Sequence, residues 1–285
     1  MAIAEAPPGW NDAMTRSDEP DAPARGHYTF GDNAVAAARL QRLADLFHPS
    51  LESFVTDHLQ RDVQHLLDFG CGPGHTTRSL AALFPDARIT GIDHSASFIA
   101  AAERAPAPNV TFRVGDVTRS RDAVAPGVAP ADALYARFLL THLPEPGAAL
   151  AAWATYLAPG ALCLLQETAA MTANHPALAR YYELVTDLQR RHGQRLDIGR
   201  GLAHLPAADQ YMVRHGGERH FDLPGSRMAQ LHVLNLTTWR HDPLAASFDR
   251  RELDWLQDEL GAIAADPGAA VVVDYAMGEL VLERR

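Results

Sequence analysis

The stretch Leu66-Leu67-Asp68-Phe69-Gly70-Cys71-Gly72-Pro73-Gly74-His75-Thr76-Thr77 decides the fold. An apolar run that suits a buried strand enters three glycines at alternate positions, and a helical pattern follows. Glycine permits positive φ there and lets a ligand touch the backbone. The turn also presents free amides at a helix N-terminus. Outward from this point, strand-like runs over 63–69, 88–93, 110–115, 133–140 and 161–167 alternate with helical runs over 76–84, 95–104 and 147–157. Such repeats imply an α/β protein with a doubly wound, mostly parallel sheet.

Before this region, 33–47 and 49–59 read as two helices, and 1–25, rich in Ala, Pro, Asp and Glu, reads as a disordered tail. After Glu167 the rhythm changes. Helices are expected over 176–192, 227–240 and 250–264, a mixed segment with a helical middle over 199–216, and strands over 218–223 and 271–283. The inserted helices would form a cap over the C-terminal edge of the sheet. The divisions expected are a tail (1–25), N-terminal helices or lid (26–60), the ligand-binding core (61–170), a helical cap with one core strand (171–265) and a last core strand (266–285).

Composition narrows the chemistry. All 25 basic residues of the 285 are arginine, so a lysine Schiff base and a Walker-type phosphate loop are both excluded. Hydrophobic content of 47% with 21% charged residues describes a soluble globular chain. A net charge of −10 without basic runs argues against a nucleic-acid or membrane partner. Cys71 and Cys163 make no disulfide or zinc pattern, and the 14 histidines show no ligand spacing, so no metal is expected. No secretory signal pattern opens the chain, and the uncharged run 147–166 is broken by Pro159-Gly160. The expected location is cytoplasmic.

Two acids follow the strands after the glycine turn. Asp93 ends Ile89-Thr90-Gly91-Ile92-Asp93, where a carboxylate can accept bonds from ribose hydroxyls. Asp116 lies in Val114-Gly115-Asp116-Val117, within reach of an adenine amino group. A dinucleotide loop would read GxGxxG, but His75 holds the third glycine position.

At these residues the sequence resembles the class I S-adenosylmethionine (SAM) dependent methyltransferases. DFGCGPG is similar to their first motif, GID to the second and GDV to the third. ARFLLTHLP at 136–144 resembles their strand-four motif, and LAPGAL at 157–162 their LxPGGxL turn, with Ala161 in place of glycine. The resemblance implies a Rossmann-like seven-stranded sheet with SAM as cofactor. It implies that Asp68 and the backbone of Gly70, Gly72 and Gly74 hold the methionine portion, Asp93 the ribose, and Asp116 with the Val117 amide the adenine. The Arg137 backbone would face the SAM amino group.

Methyl transfer chiefly demands positioning and exclusion of water, with a base only where the acceptor must lose a proton. Glu167, at the end of the fifth strand, is the preferred base or substrate anchor, and His142 after strand four is the second candidate; each also reads as a capping or packing residue. Segment 176–220 holds seven arginines against five acids, so Arg200 and its neighbours could receive an anionic substrate, or form a solvated face. Tyr181, Tyr182, Tyr211, Met212, Met228 and Trp239 suit a pocket lining or a core. Tyr28, Phe30 and Arg39 could close over the cofactor.

The resulting expectation is a methyltransferase, monomer or homodimer, acting on the O or N of a small secondary-metabolite acceptor. One rival is C-methylation of a prenyl diphosphate or aromatic carbon with Glu167 as base. Rivals of another class are an NAD-dependent dehydrogenase and a non-catalytic SAM-binding protein.

Overall fold

The computed structural model describes residues 34–60, 62–124, 129–205 and 209–285; the tail expected at 1–25 and the lid residues Tyr28 and Phe30 lie outside them. The elements run α1 (Ala34–Leu46), α2 (His48–His58), β1 (His65–Phe69), α3 (His75–Leu83), β2 (Arg88–Asp93), α4 (Ala96–Glu103), β3 (Val110–Val114) and α5 (Arg121–Val124). They continue with β4 (Ala131–Arg137), α6 (Pro146–Trp153), β5 (Leu157–Ala173), α7 (Pro176–Arg191), β6 (Tyr211–Pro224), α8 (Gly225–Trp239), α9 (Arg250–Ala265) and β7 (Val272–Arg284).

The sheet has seven strands in the order β3-β2-β1-β4-β5-β7-β6, and only β7 runs antiparallel to its neighbours. Strand order reverses between β1 and β4, and the crevice beyond their C-terminal ends is where such sheets bind ligands. The expected doubly wound, mostly parallel architecture is therefore the observed one.

Alternation along β1 explains the two faces. Leu67 and Phe69 pack on one side, where the Phe69 ring meets Trp153 edge-on at 5.4 Å and Tyr156 at 4.9 Å. Leu66 faces the other, among Leu51, Phe54 and Leu80 of α2 and α3. A third apolar cluster joins α7, α8 and α9, in the segment expected to form a cap, to Phe47, Tyr275 and Met277.

Two local readings are corrected. The strand expected over 218–223 is part of the longer β6, which begins at Tyr211. The helical middle expected in 199–216 is a 3₁₀ segment, Ile198–His204, ahead of it. β6 is an edge strand paired only with β7, so its charged and glycine-rich sequence hides the alternation that marks a buried strand.

Candidate active site

The glycine turn adopts the conformation its sequence suggests, with φ of 66°, 52° and 80° at Gly70, Gly72 and Gly74. Gly70 and Gly72 line a cavity of about 610 Å³ at the switch point. Gly74 does not line it. A Cβ at Gly74 would lie 2.5 Å from the Phe112 ring, so this glycine lets the turn seat on β3. Asp93 is buried and lines the cavity; its Oδ2 accepts the Gly72 amide at 2.9 Å and its Oδ1 the Ser95 amide at 2.9 Å. One carboxylate thus ties the glycine turn to the start of α4 and keeps lone pairs for a ligand. Asp116 and Val117 line the far end, where the Val117 carbonyl accepts the Trp153 indole N–H at 2.9 Å.

A smaller cavity of about 90 Å³ adjoins the first and shares Leu43, Phe138 and His142 with it. Its lining is mostly apolar, from Phe47, Met171, Val185, Leu196, Met228 and Leu231. Arg39, from α1, is the one arginine among its lining residues, and no Asp or Glu joins it. Arg39 is buried and donates to the Asn235 Oδ1 at 3.5 Å. His232 and Gln189 also line the cavity, and the His232 Nδ1 and Gln189 Oε1 are buried with no hydrogen-bond partner. Burial lowers His142 to about 4, with Arg39 adding to the effect, and lowers His232 to about 3. Both imidazoles are therefore neutral near pH 7.

Comparison with known proteins agrees with this layout. A family model described as a methyltransferase domain matches residues 67–163, from β1 to β5. The chain is 29% identical to a trans-aconitate 2-methyltransferase of Azoarcus sp. over 76% of this chain and 78% of that one. It is 43% identical to the enzyme of the same name from Klebsiella pneumoniae over 31% of this chain and 32% of that one. Among solved structures, the cyclase SpnF shares the fold with a TM-score of 0.52 at 18% identity, covering 83% of this chain and 80% of that chain. The segment from β1 to β5 is a methyltransferase domain, and the chain is similar to the SAM-dependent methyltransferases.

The residues present fit the cofactor of this methyltransferase. SAM is a cation with a ribose diol and an adenine, and it supplies an electrophilic methyl group. The large cavity offers backbone amides on a glycine turn, buried Asp93 at one strand end and Asp116 at the next. No lysine is needed to hold a ligand without phosphates. Arg137 also lines the cavity, but its guanidinium is spent on the Phe47 carbonyl at 3.0 Å and the Thr76 hydroxyl at 3.3 Å. Asp68 does not line the cavity as expected. It is buried beneath the turn, accepts the Thr77 hydroxyl at 2.6 Å and thereby anchors α3; burial pushes it up to about 7.

Several acceptor-side expectations are corrected. Glu167 lines neither cavity, because its Oε1 accepts the Leu139 and Leu140 amides at 2.7 and 2.6 Å and the side chain is 1% exposed. Tyr211 lies on β6 in the core, its hydroxyl on the Leu150 carbonyl at 3.0 Å. Trp239 is fully buried behind Tyr181, and Tyr182 sits behind His232, its hydroxyl 3.2 Å from Nε2. Neither lines a cavity, whereas Tyr181 and Met228 do. Arg200 is exposed and donates to the Ala169 carbonyl at 2.9 Å. Five of the other six arginines of segment 176–220 answer to acids: Arg180 to Glu252 and Glu183, Arg190 and Arg191 to Asp187, Arg214 to Glu283 and Arg219 to Glu279. None lines a cavity, so no diphosphate clamp forms.

Sequence reasoning assigned Arg39 to a cofactor lid and gave Asn235, Gln189 and His232 no role. Their common signal is a polar residue on an otherwise apolar helix face, visible only once α1, α7 and α8 are brought together. Among the described residues no group of three His, Cys, Asp or Glu side chains is placed to hold a metal, and no helix is long and apolar enough to cross a membrane.

Proposed function

We propose that this methyltransferase O-methylates a compact organic acid that carries one carboxylate on a largely apolar body. The observation that carries the reading is Arg39, the single permanent charge of the smaller cavity among the described residues, facing the same space as His142 on the wall shared with the cofactor cavity. An arginine fork matches a carboxylate, and the mostly apolar lining strengthens the pairing.

Among the described lining residues of the smaller cavity there is no well-tuned base, which favours an acceptor that needs none. His142 is too weak a base at about 4, and the Glu167 carboxyl lines neither cavity and holds the Leu139 and Leu140 amides on its Oε1. An ionised carboxylate brings its own lone pair and has no proton to lose. The orphaned His232 Nδ1 and Gln189 Oε1 favour an additional polar group on the acceptor, since buried polar atoms are ordinarily partnered. The relatives are named for trans-aconitate, a tricarboxylate. One arginine with no second Arg among the described lining residues suits a singly charged acid better.

The test is methyl-ester formation from SAM across a panel of small monocarboxylic acids, with trans-aconitate alongside. Turnover of a monocarboxylate is expected, with acceptor KM raised about 10- to 100-fold in Arg39→Met, the range of one charge-assisted bond. SAM affinity should hold within about twofold. Preferred turnover of trans-aconitate, unaffected by Arg39→Met, would refute the reading.

A further inference from the structure

The partition between the two cavities is an elbow in the chain after β4. Phe138 adopts φ of 55°, the one positive φ at a non-glycine residue among the described residues. A side chain rarely takes this conformation unless its surroundings impose it. What imposes it here is β5. The Phe138 amide donates to the Gln166 carbonyl at 3.0 Å, and the next two amides, of Leu139 and Leu140, converge on the Glu167 Oε1 at 2.7 and 2.6 Å. Three consecutive amides are thus held by two consecutive residues of the neighbouring strand.

The elbow borders both cavities and the glycine turn. Phe138 faces both cavities, and Leu139 lines the cofactor cavity while filling the space where Gly70 lacks a Cβ, 2.9 Å from that position. The Leu140–His142 turn follows directly and sets His142 in the shared wall. Glu167 itself cannot slide. A Cβ at Gly199 would lie 2.5 Å from the Glu167 carbonyl, so the 3₁₀ segment seals it from behind with backbone against backbone. A carboxyl group kept from solvent and from both cavities, with two amides on one oxygen, is arranged to hold a backbone.

We propose that Glu167 is a positioning residue that clamps the strained Phe138–Leu140 elbow and so sets the partition between the methyl donor and its acceptor. The role does not depend on which acceptor the enzyme takes. Its logic is that a displacement of about an ångström at the reacting centre costs about a hundredfold in rate. A side-chain amide can do the same work, because its oxygen accepts both backbone amides, whereas a base cannot be replaced in this way.

The experiment compares the whole chain with Glu167→Gln and Glu167→Ala by S-adenosylhomocysteine titration, thermal unfolding and steady-state kinetics with the best acceptor found. Glu167→Ala should lower kcat about 100-fold and weaken S-adenosylhomocysteine about tenfold, because the elbow lines both cavities. Glu167→Gln should recover most of both losses. A Glu167→Gln enzyme that binds S-adenosylhomocysteine normally yet loses kcat about 100-fold would overturn the proposal in favour of a proton-accepting role. Wild-type kcat and binding in a folded Glu167→Ala would overturn it as well. Where Glu167→Ala does not fold, Glu167→Gln alone decides between clamp and base. The binding arm needs no acceptor, so a wrong acceptor assignment appears as missing turnover in the wild type and leaves the binding comparison standing.

Discussion

Glu167 stands between opposing influences: burial pushes its carboxyl up to about 8 from an ordinary 4.5, and the Leu140 and Leu139 amides pull it back down. Burial prevails, so between those two values the folded chain holds a proton that the unfolded chain has released. Stability from this group is full below about pH 4.5 and is lost as pH rises through about 8. Glu167→Gln cannot titrate. Wild-type stability should therefore fall relative to that variant between pH 5.5 and 8.5, by on the order of a few kcal/mol, and the Tm should fall with it. Parallel Tm curves over that range would mean the carboxyl is ionised throughout. Asp93 shows the other use of a buried acid at a strand end. Its two oxygens each take one backbone amide, from Gly72 and Ser95, and the group still faces the cavity that suits a ribose.

At the scale of elements, the 3₁₀ segment Ile198–His204 crosses the sheet where β5 and β7 pair, and glycine makes the crossing possible. A Cβ on Gly199 would stand 2.5 Å from the Glu167 carbonyl oxygen, and one on Gly278, opposite Glu167, 2.3 Å from the Gly199 carbonyl. Gly199→Ala should cost about 1–3 kcal/mol, the usual toll of overpacking, and lower the Tm by several degrees. Gly261→Ala, inside α9 with nothing within 4 Å, should instead raise stability by about 0.5–1 kcal/mol. Equal Tm values for the two would show the crossing to be loose. The sequence made the core legible where signals are local: glycines at alternate positions, an acid closing β2, and apolar runs of strand length. It misled where partners are distant. Arg180 meets Glu252, Arg214 meets Glu283 and Tyr211 meets Leu150, so neither an arginine excess nor an aromatic set in the cap segment reveals what those side chains face. The elbow at Phe138 was legible as a motif, but its clamp, a register-dependent contact between β4 and β5, was not.

Over the whole molecule, charge is divided between the two cavities in a way that suits two substrates of opposite sign. Asp93 and Asp116 line the chamber for a cationic cofactor, and Arg39 the chamber for the proposed acid. The element that spans both is α1: Leu40, Leu43 and Ala44 face the larger cavity, and Arg39 and Leu43 the smaller. It is tied to the cap through α8, with Arg42 donating to the Gln230 Oε1 at 3.0 Å and Arg39 to Asn235. Cofactor binding should therefore be felt in α1 as strongly as in the glycine turn. Amide hydrogen exchange with and without S-adenosylhomocysteine checks this. Slower exchange is expected over 36–46, over 70–76 and over 138–143, with α9, remote from both linings, unchanged. At about 100 times Kd the ligand should also add about 2.7 kcal/mol to stability. If 36–46 exchanges at the same rate in both states while 70–76 is protected, α1 does not wall the cofactor cavity in solution. Arg39 would then lose the support that places it beside the reacting centre, and the acid-binding reading would fall with it. If 36–46 is protected by cofactor and further by an added monocarboxylate, a single helix closes both chambers, and the enzyme assembles its acceptor site on a surface that the cofactor has already ordered.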